Sequence, residues 1–141
     1  MNRREALIAT GALLATAGVA TAADHSHHHH EGAHPWQAVL DTAGICIEKG
    51  EVCLTHCIML MGEGDKSMAA CASSVREMLA SCRALITLAG AESKFAPKLA
   101  ALCVDVCKAC EAECKKHADK HKACKECMES CAECAKACKA K

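Results

Sequence analysis

From Pro35 onward, apolar and small residues recur at steps of three and four, the period of a helix with one buried face. Trp36, Val39, Ala43, Cys46, Gly50, Cys53, Cys57 and Leu60 trace the first stripe, and Pro35 suits a first helical turn. Gly50 on this inward line marks a close approach to a neighbouring helix. Gly62 and Gly64 end the stripe, and Asp65 predicts a cap for a second helix. The second stripe reads Met68, Cys71, Val75, Met78, Cys82 and Leu85 and stops at Gly90. A third helix beginning near Pro97 carries Leu99, Cys103, Cys107, Cys110 and Cys114. After the polar stretch 115–122, a fourth carries Cys124, Cys127, Cys131, Cys134 and Cys138.

Four stripes of similar length on short links predict an all-α fold, an antiparallel up-down-up-down four-helix bundle over residues 35–141 with a cysteine-lined core. The boundary between the last two helices carries the least signal. Neither Gly nor Pro separates Cys114 from Cys124, and His117 and His121 continue the rhythm. One long helix would reach about 60 Å and leave half its thiol face uncovered. A tight turn around Ala118 to Lys120, with Asp119 capping the next helix, avoids that exposure.

Ahead of the bundle, Asn2-Arg3-Arg4-Glu5-Ala6-Leu7 sets an arginine pair before a mildly apolar run that ends in Ala20-Thr21-Ala22. Residues 1–22 therefore read as a twin-arginine signal peptide, removed after an A-x-A site and too weakly apolar to span a membrane. The expected destination is outside the cytoplasm, in the periplasm or an internal membrane lumen. Residues 23–34 lack an apolar period and read as a flexible His-rich tail. Cleavage after Ala22 would expose Ala23-Asp24-His25, an amino-terminal set of four nitrogens suited to Cu(II).

Charge narrows the function little beyond exclusion. Seventeen basic and seventeen acidic residues balance, so nothing favours nucleic acid. Composition is more telling: fourteen cysteines stand beside one Phe, one Trp and no Tyr. Cysteine has displaced the usual core residues. A small exported protein so rich in cysteine is by default a disulfide scaffold, but the spacing argues otherwise. Cys53/Cys57, Cys103/Cys107, Cys110/Cys114, Cys127/Cys131 and Cys134/Cys138 are four apart. Helical neighbours at that spacing hold their Cβ atoms about 5–6 Å apart, beyond the roughly 3.5–4.5 Å of a disulfide.

A metal ion spans that distance more comfortably. Zinc would use Cys107-x-x-Cys110, Cys124-x-x-Cys127 and Cys131-x-x-Cys134, but each four-thiolate site carries two net negative charges, and several buried together are costly. Iron–sulfur clusters are generally wrapped by loops rather than set on a continuous helical stripe. Cysteine as a plain small hydrophobe fails on volume, because Met128 is the one large apolar residue of the fourth helix. Copper(I) is soft, prefers thiolate and accepts two sulfur ligands. When each sulfur bridges two ions, the lattice holds about one copper per thiol and is neutral.

The candidate ligands are thus Cys46, Cys53, Cys57, Cys71, Cys82, Cys103, Cys107, Cys110, Cys114, Cys124, Cys127, Cys131, Cys134 and Cys138. In an up-down-up-down bundle the first and third links share one end, which gathers His56, Met59, Met61, Met68, His117 and His121. Imidazole and thioether exchange copper more readily than thiolate, so a port is expected there, with His56 and Met68 as further ligands. Val39, Leu85 and Leu99 close the other end. No nucleophile–base pair is legible, and the thiols are too numerous for a single redox centre, so an enzyme is not expected.

These cysteine runs, with His56 and the methionines after it, resemble the bacterial copper storage proteins, in particular their exported members. The resemblance covers Trp36 to Cys138 and the leader. It implies a four-helix bundle filled with many Cu(I) ions on paired thiolates, and association as a homotetramer. It also implies supply of copper to an enzyme such as the membrane methane monooxygenase of methane-oxidising bacteria.

Overall fold

The computed structural model describes residues 33–141. The signal peptide expected over 1–22, the Ala23-Asp24-His25 site and the tail up to residue 32 lie outside the described residues.

Four helices follow in chain order: α1 (Gln37–Gly62), α2 (Ala69–Gly90), α3 (Ala96–Lys115) and α4 (Lys122–Lys139). Each packs against two neighbours, α1 on α2 and α4, α3 on α2 and α4, and the backbones of the diagonal pairs stay apart. Short links force antiparallel neighbours, and the result is the up-down-up-down bundle expected from the stripes. The predicted inward positions are buried, except that Leu60 and Leu99 are only half-buried. Val39, Ala43, Cys46, Gly50, Cys53 and Cys57 face inward from α1, and Cys103, Cys107, Cys110 and Cys114 from α3. None of the described helices is long and apolar enough to cross a membrane.

The ends differ in detail from the sequence expectation. Pro35 lies ahead of α1, in the turn closed by the Gln37 N–H on the His34 carbonyl at 2.9 Å. Gly64, at φ +102°, ends α1 as expected, with the Asp65 N–H returning to the Leu60 carbonyl at 2.9 Å. Asp65 is a cap, but of a single 3-10 turn, Lys66–Met68, that leads into α2; its carboxylate accepts from the Ser67 N–H at 3.0 Å.

α2 stops at Gly90, as expected. The left-handed residue is Glu92, at φ +49°, with the Ser93 N–H closing on Leu88 at 2.9 Å.

Asp119 does not cap α4. Tight turns run from Lys116 to Lys120, and the chain extends only at His121, whose φ of −129° and ψ of 107° put it at the helix entrance without a side-chain cap. Backbone bonds back to Cys114, Lys115 and His117 hold this reversal, so Asp119 sits inside the turn, too early to serve the first turn of α4.

The bundle has two unlike ends. At the base, Trp36, Val39, Ala43, Leu85, Ala89, Ala96 and Ala100 are buried together, while Leu99 is only half-buried. The Lys141 ammonium lies 5.4 Å over the Trp36 ring and donates to the Pro35 carbonyl, tying the last residue to the start of α1. The top carries the α1–α2 and α3–α4 links and is lined with sulfur and imidazole.

Candidate metal centre

All fourteen cysteines are free and at most 2% exposed. Helical steps of three and four stack the thiols along each helix, and antiparallel packing brings the four stacks together along the bundle axis. At the top, the sulfurs of Cys53, Cys57, Cys71 and Cys124 all lie within 4.8 Å of one another. Cys53 also belongs to a group with Cys114 and Cys127, and Cys127 to one with Cys110 and Cys131. Cys131 lies 3.7 Å from Cys46, which opens a lower group with Cys82, Cys107 and Cys134. Cys103 adjoins Cys82, and Cys138 adjoins Cys134. The thiols therefore form one connected column, not a set of separate pairs.

Sulfur spacing defines what the column can do. Cys71 and Cys114 stand 3.6 Å apart, Cys53 and Cys124 3.8 Å, Cys82 and Cys107 3.9 Å, and Cys82 and Cys134 4.0 Å. A disulfide needs about 2.05 Å. Metal–sulfur bonds of about 2.3 Å hold two sulfurs up to roughly 4.6 Å apart, which covers these separations. Thiols this close cannot all ionise alike. Hydrogen bonding with Cys110, Cys53 and Cys71 lowers Cys114 to about 6, and Cys107, Cys138 and Cys82 lower Cys134 to about 5. Their neighbours pay in the opposite direction: Cys53, beside Cys114 and Cys124, and Cys82, beside Cys103 and Cys107, are held strongly protonated. A metal ion that takes these sulfurs displaces the remaining protons.

The top of the column carries the other ligand types. His56 Nε2 and His121 Nδ1 meet at 2.9 Å, and the His117 ring lies 6.5 Å from that of His121. Asp65 sits nearby; the Ser67 hydroxyl and N–H hold its carboxyl below the usual range, and His117 and His121 add to this. Met68 is fully buried at this end, Met61 half-buried and Met59 61% exposed. The structure thus brings His56 and His121 together beside the column, places Met68 in the core, and leaves Met59 pointing to solvent. Along the sides, hollows at the α3–α4 and α1–α4 seams are lined by Lys108, Glu111, Lys136 and by Lys49, Glu126, Glu133, with no cysteine among their walls.

Residues 32–141 match the family described as copper storage protein. The chain belongs to that family. It is also 29% identical over 104 residues to YhjQ, an uncharacterized cysteine-rich protein of Bacillus subtilis (strain 168), covering 74% of this chain and 93% of that one. The family match spans all four helices and every cysteine, so the column lies inside the region that defines membership.

One further sulfur meets the column from the inward stripe of α2. Met78 Sδ accepts from the Cys46 thiol at 3.4 Å, and both side chains are fully buried. Its place on the inward stripe of α2 was visible, but its contact with a thiol of α1 depends on how the two helices meet.

Proposed function

We propose that the protein is a copper(I) store, taking about one ion per cysteine on the connected thiolate column and later yielding it to copper enzymes. The observation that supports this reading is the continuity of the column. A chain of fourteen buried sulfurs at 3.6–4.0 Å along its closest cysteine contacts suits a soft ion that accepts two or three bridging thiolates. All fourteen cysteines serve as ligands, with His56 and Met68 at the top. The family match supports storage in place of catalysis.

Zinc has one observation in its favour, since Cys46/Cys82/Cys107/Cys134 and Cys53/Cys57/Cys71/Cys124 are two tetrads of the size a zinc site requires. Filling both leaves Cys103, Cys110, Cys114, Cys127, Cys131 and Cys138 without a metal in the same buried column. The competition test is direct: zinc-loaded protein given one Cu(I) per cysteine under anaerobic conditions should release all its zinc. Retention of zinc in the two tetrads would overturn the copper assignment.

The leader supports export through the twin-arginine route to the periplasm or an internal membrane lumen. Assembly as a homotetramer draws support from Ile45, Val52 and Met59, which recur every seven residues on α1 and are all more than half exposed. A membrane methane monooxygenase is one recipient this reading accommodates.

A further inference from the structure

Halfway along the column the cysteines are one-sided. On α1, Cys46 and Cys53 flank Gly50; on α2, Cys82 and Cys71 flank Met78 and Val75. Between these cysteines α1 and α2 carry no thiol, and the group Cys110, Cys127, Cys131 comes from α3 and α4 alone, reached from α1 by Cys46. Met78 places a sulfur on the vacant side. Its Sδ lies 3.4 Å from Cys46 Sγ, closer than the 3.6 Å between Cys71 and Cys114, and Cys46 in turn lies 3.7 Å from Cys131. Met78, Cys46 and Cys131 form a run of three buried sulfurs where the upper and lower parts of the column join.

A second feature serves the same arrangement. A Cβ at Gly50 would lie 2.5 Å from Met78 Cε and 2.9 Å from Leu79 Cδ2. The bare α1 backbone therefore makes the notch in which the Met78 methyl rests while its sulfur reaches Cys46. Space alone could be filled by leucine, whose rotamers are better defined. Neither the notch nor the sulfur contact would then be needed.

We propose that Met78 is a copper ligand, its thioether completing a three-sulfur site with the thiolates of Cys46 and Cys131; this rests on the copper(I) reading above. A thioether is soft and neutral, so it raises the coordination of a buried copper(I) ion without adding charge to the column. A trigonal ion with bonds of about 2.3 Å holds its sulfurs roughly 4 Å apart, a few tenths of an ångström wider than the Met78–Cys46 and Cys46–Cys131 contacts. Met78 thereby links the two parts of the store at the height where α2 lacks cysteine.

Selenium X-ray absorption tests this on selenomethionine-labelled full chain loaded anaerobically with Cu(I). A selenium–copper scattering path should be present, should lose amplitude in Met78→Leu, and should persist when Met59, Met61, Met68 and Met128 are all leucine and Met78 is kept. The second variant keeps the test valid if Met78→Leu fails to fold. A path unaltered by Met78→Leu, or absent from the fourfold variant while the copper edge shows full thiolate loading, overturns the assignment. Failure of the wild type to take up copper at all would instead overturn the storage reading.

Discussion

The imidazoles of His56 and His121 meet at 2.9 Å and join the last third of α1 to the residue that opens α4. His56 precedes Cys57 in sequence and His121 stands one turn before Cys124, so the pair lies against the uppermost cysteine group. The base, in contrast, is closed by Trp36, Val39 and Leu85. Copper should pass the imidazole end. Replacing His56 and Met68 together by leucine should slow both copper uptake and removal by a chelator, while lowering capacity by no more than about two ions, the number those ligands could hold. Stopped-flow uptake and chelator kinetics at wild-type rates would place the port elsewhere.

Copper should also stabilise the fold, and α4 shows why. Its inward face is Cys124, Cys127, Ser130, Cys131, Cys134, Ala135 and Cys138, and its one large apolar side chain, Met128, is only half-buried. Such a face removes little apolar area from water. A single ion present at a thousandfold its dissociation constant adds about 4 kcal/mol by linkage, so full loading should raise the melting temperature by at least about 15 °C. Differential scanning calorimetry of the reduced apo and loaded forms checks this. Equal melting temperatures would mean that metal is not part of the core.

Two glycines of α1 separate close approach from simple flexibility. Nothing lies within 4 Å of a Cβ added at Gly44, whereas one at Gly50 would meet Met78 and Leu79. Gly44→Ala should therefore gain up to about 1 kcal/mol from helix propensity. Gly50→Ala should lose about 1 kcal/mol or more, because overpacking typically costs 1–3 kcal/mol. Urea denaturation of the two variants measures the difference, and equal effects would remove Gly50 from the account.

Much of this was legible because the helical period and the cysteine positions coincide. Every predicted inward cysteine is buried, from Cys46 to Cys138, and Gly50 does face a neighbouring helix. The misplaced details are terminal. Asp119 carries the right residue type for a cap, and Gly90 does end α2, but the left-handed residue falls at Glu92, and where a link reverses depends on backbone bonds such as Ser93 to Leu88 and His121 to His117. Contacts across helices were hidden for the same reason. The stripe gives the face on which Met78 lies, but not that its sulfur meets Cys46, which requires the register of α1 against α2.

The central claim is that the fourteen cysteines act as one copper(I) lattice, and counting ions tests it most directly. Native mass spectrometry of reduced protein, loaded anaerobically with excess Cu(I) and freed of unbound metal, should show about 13–15 copper ions per chain, on the argument that each thiolate bridges two ions and each ion takes two thiolates. Saturation at four or fewer would contradict a continuous lattice and leave isolated sites in its place.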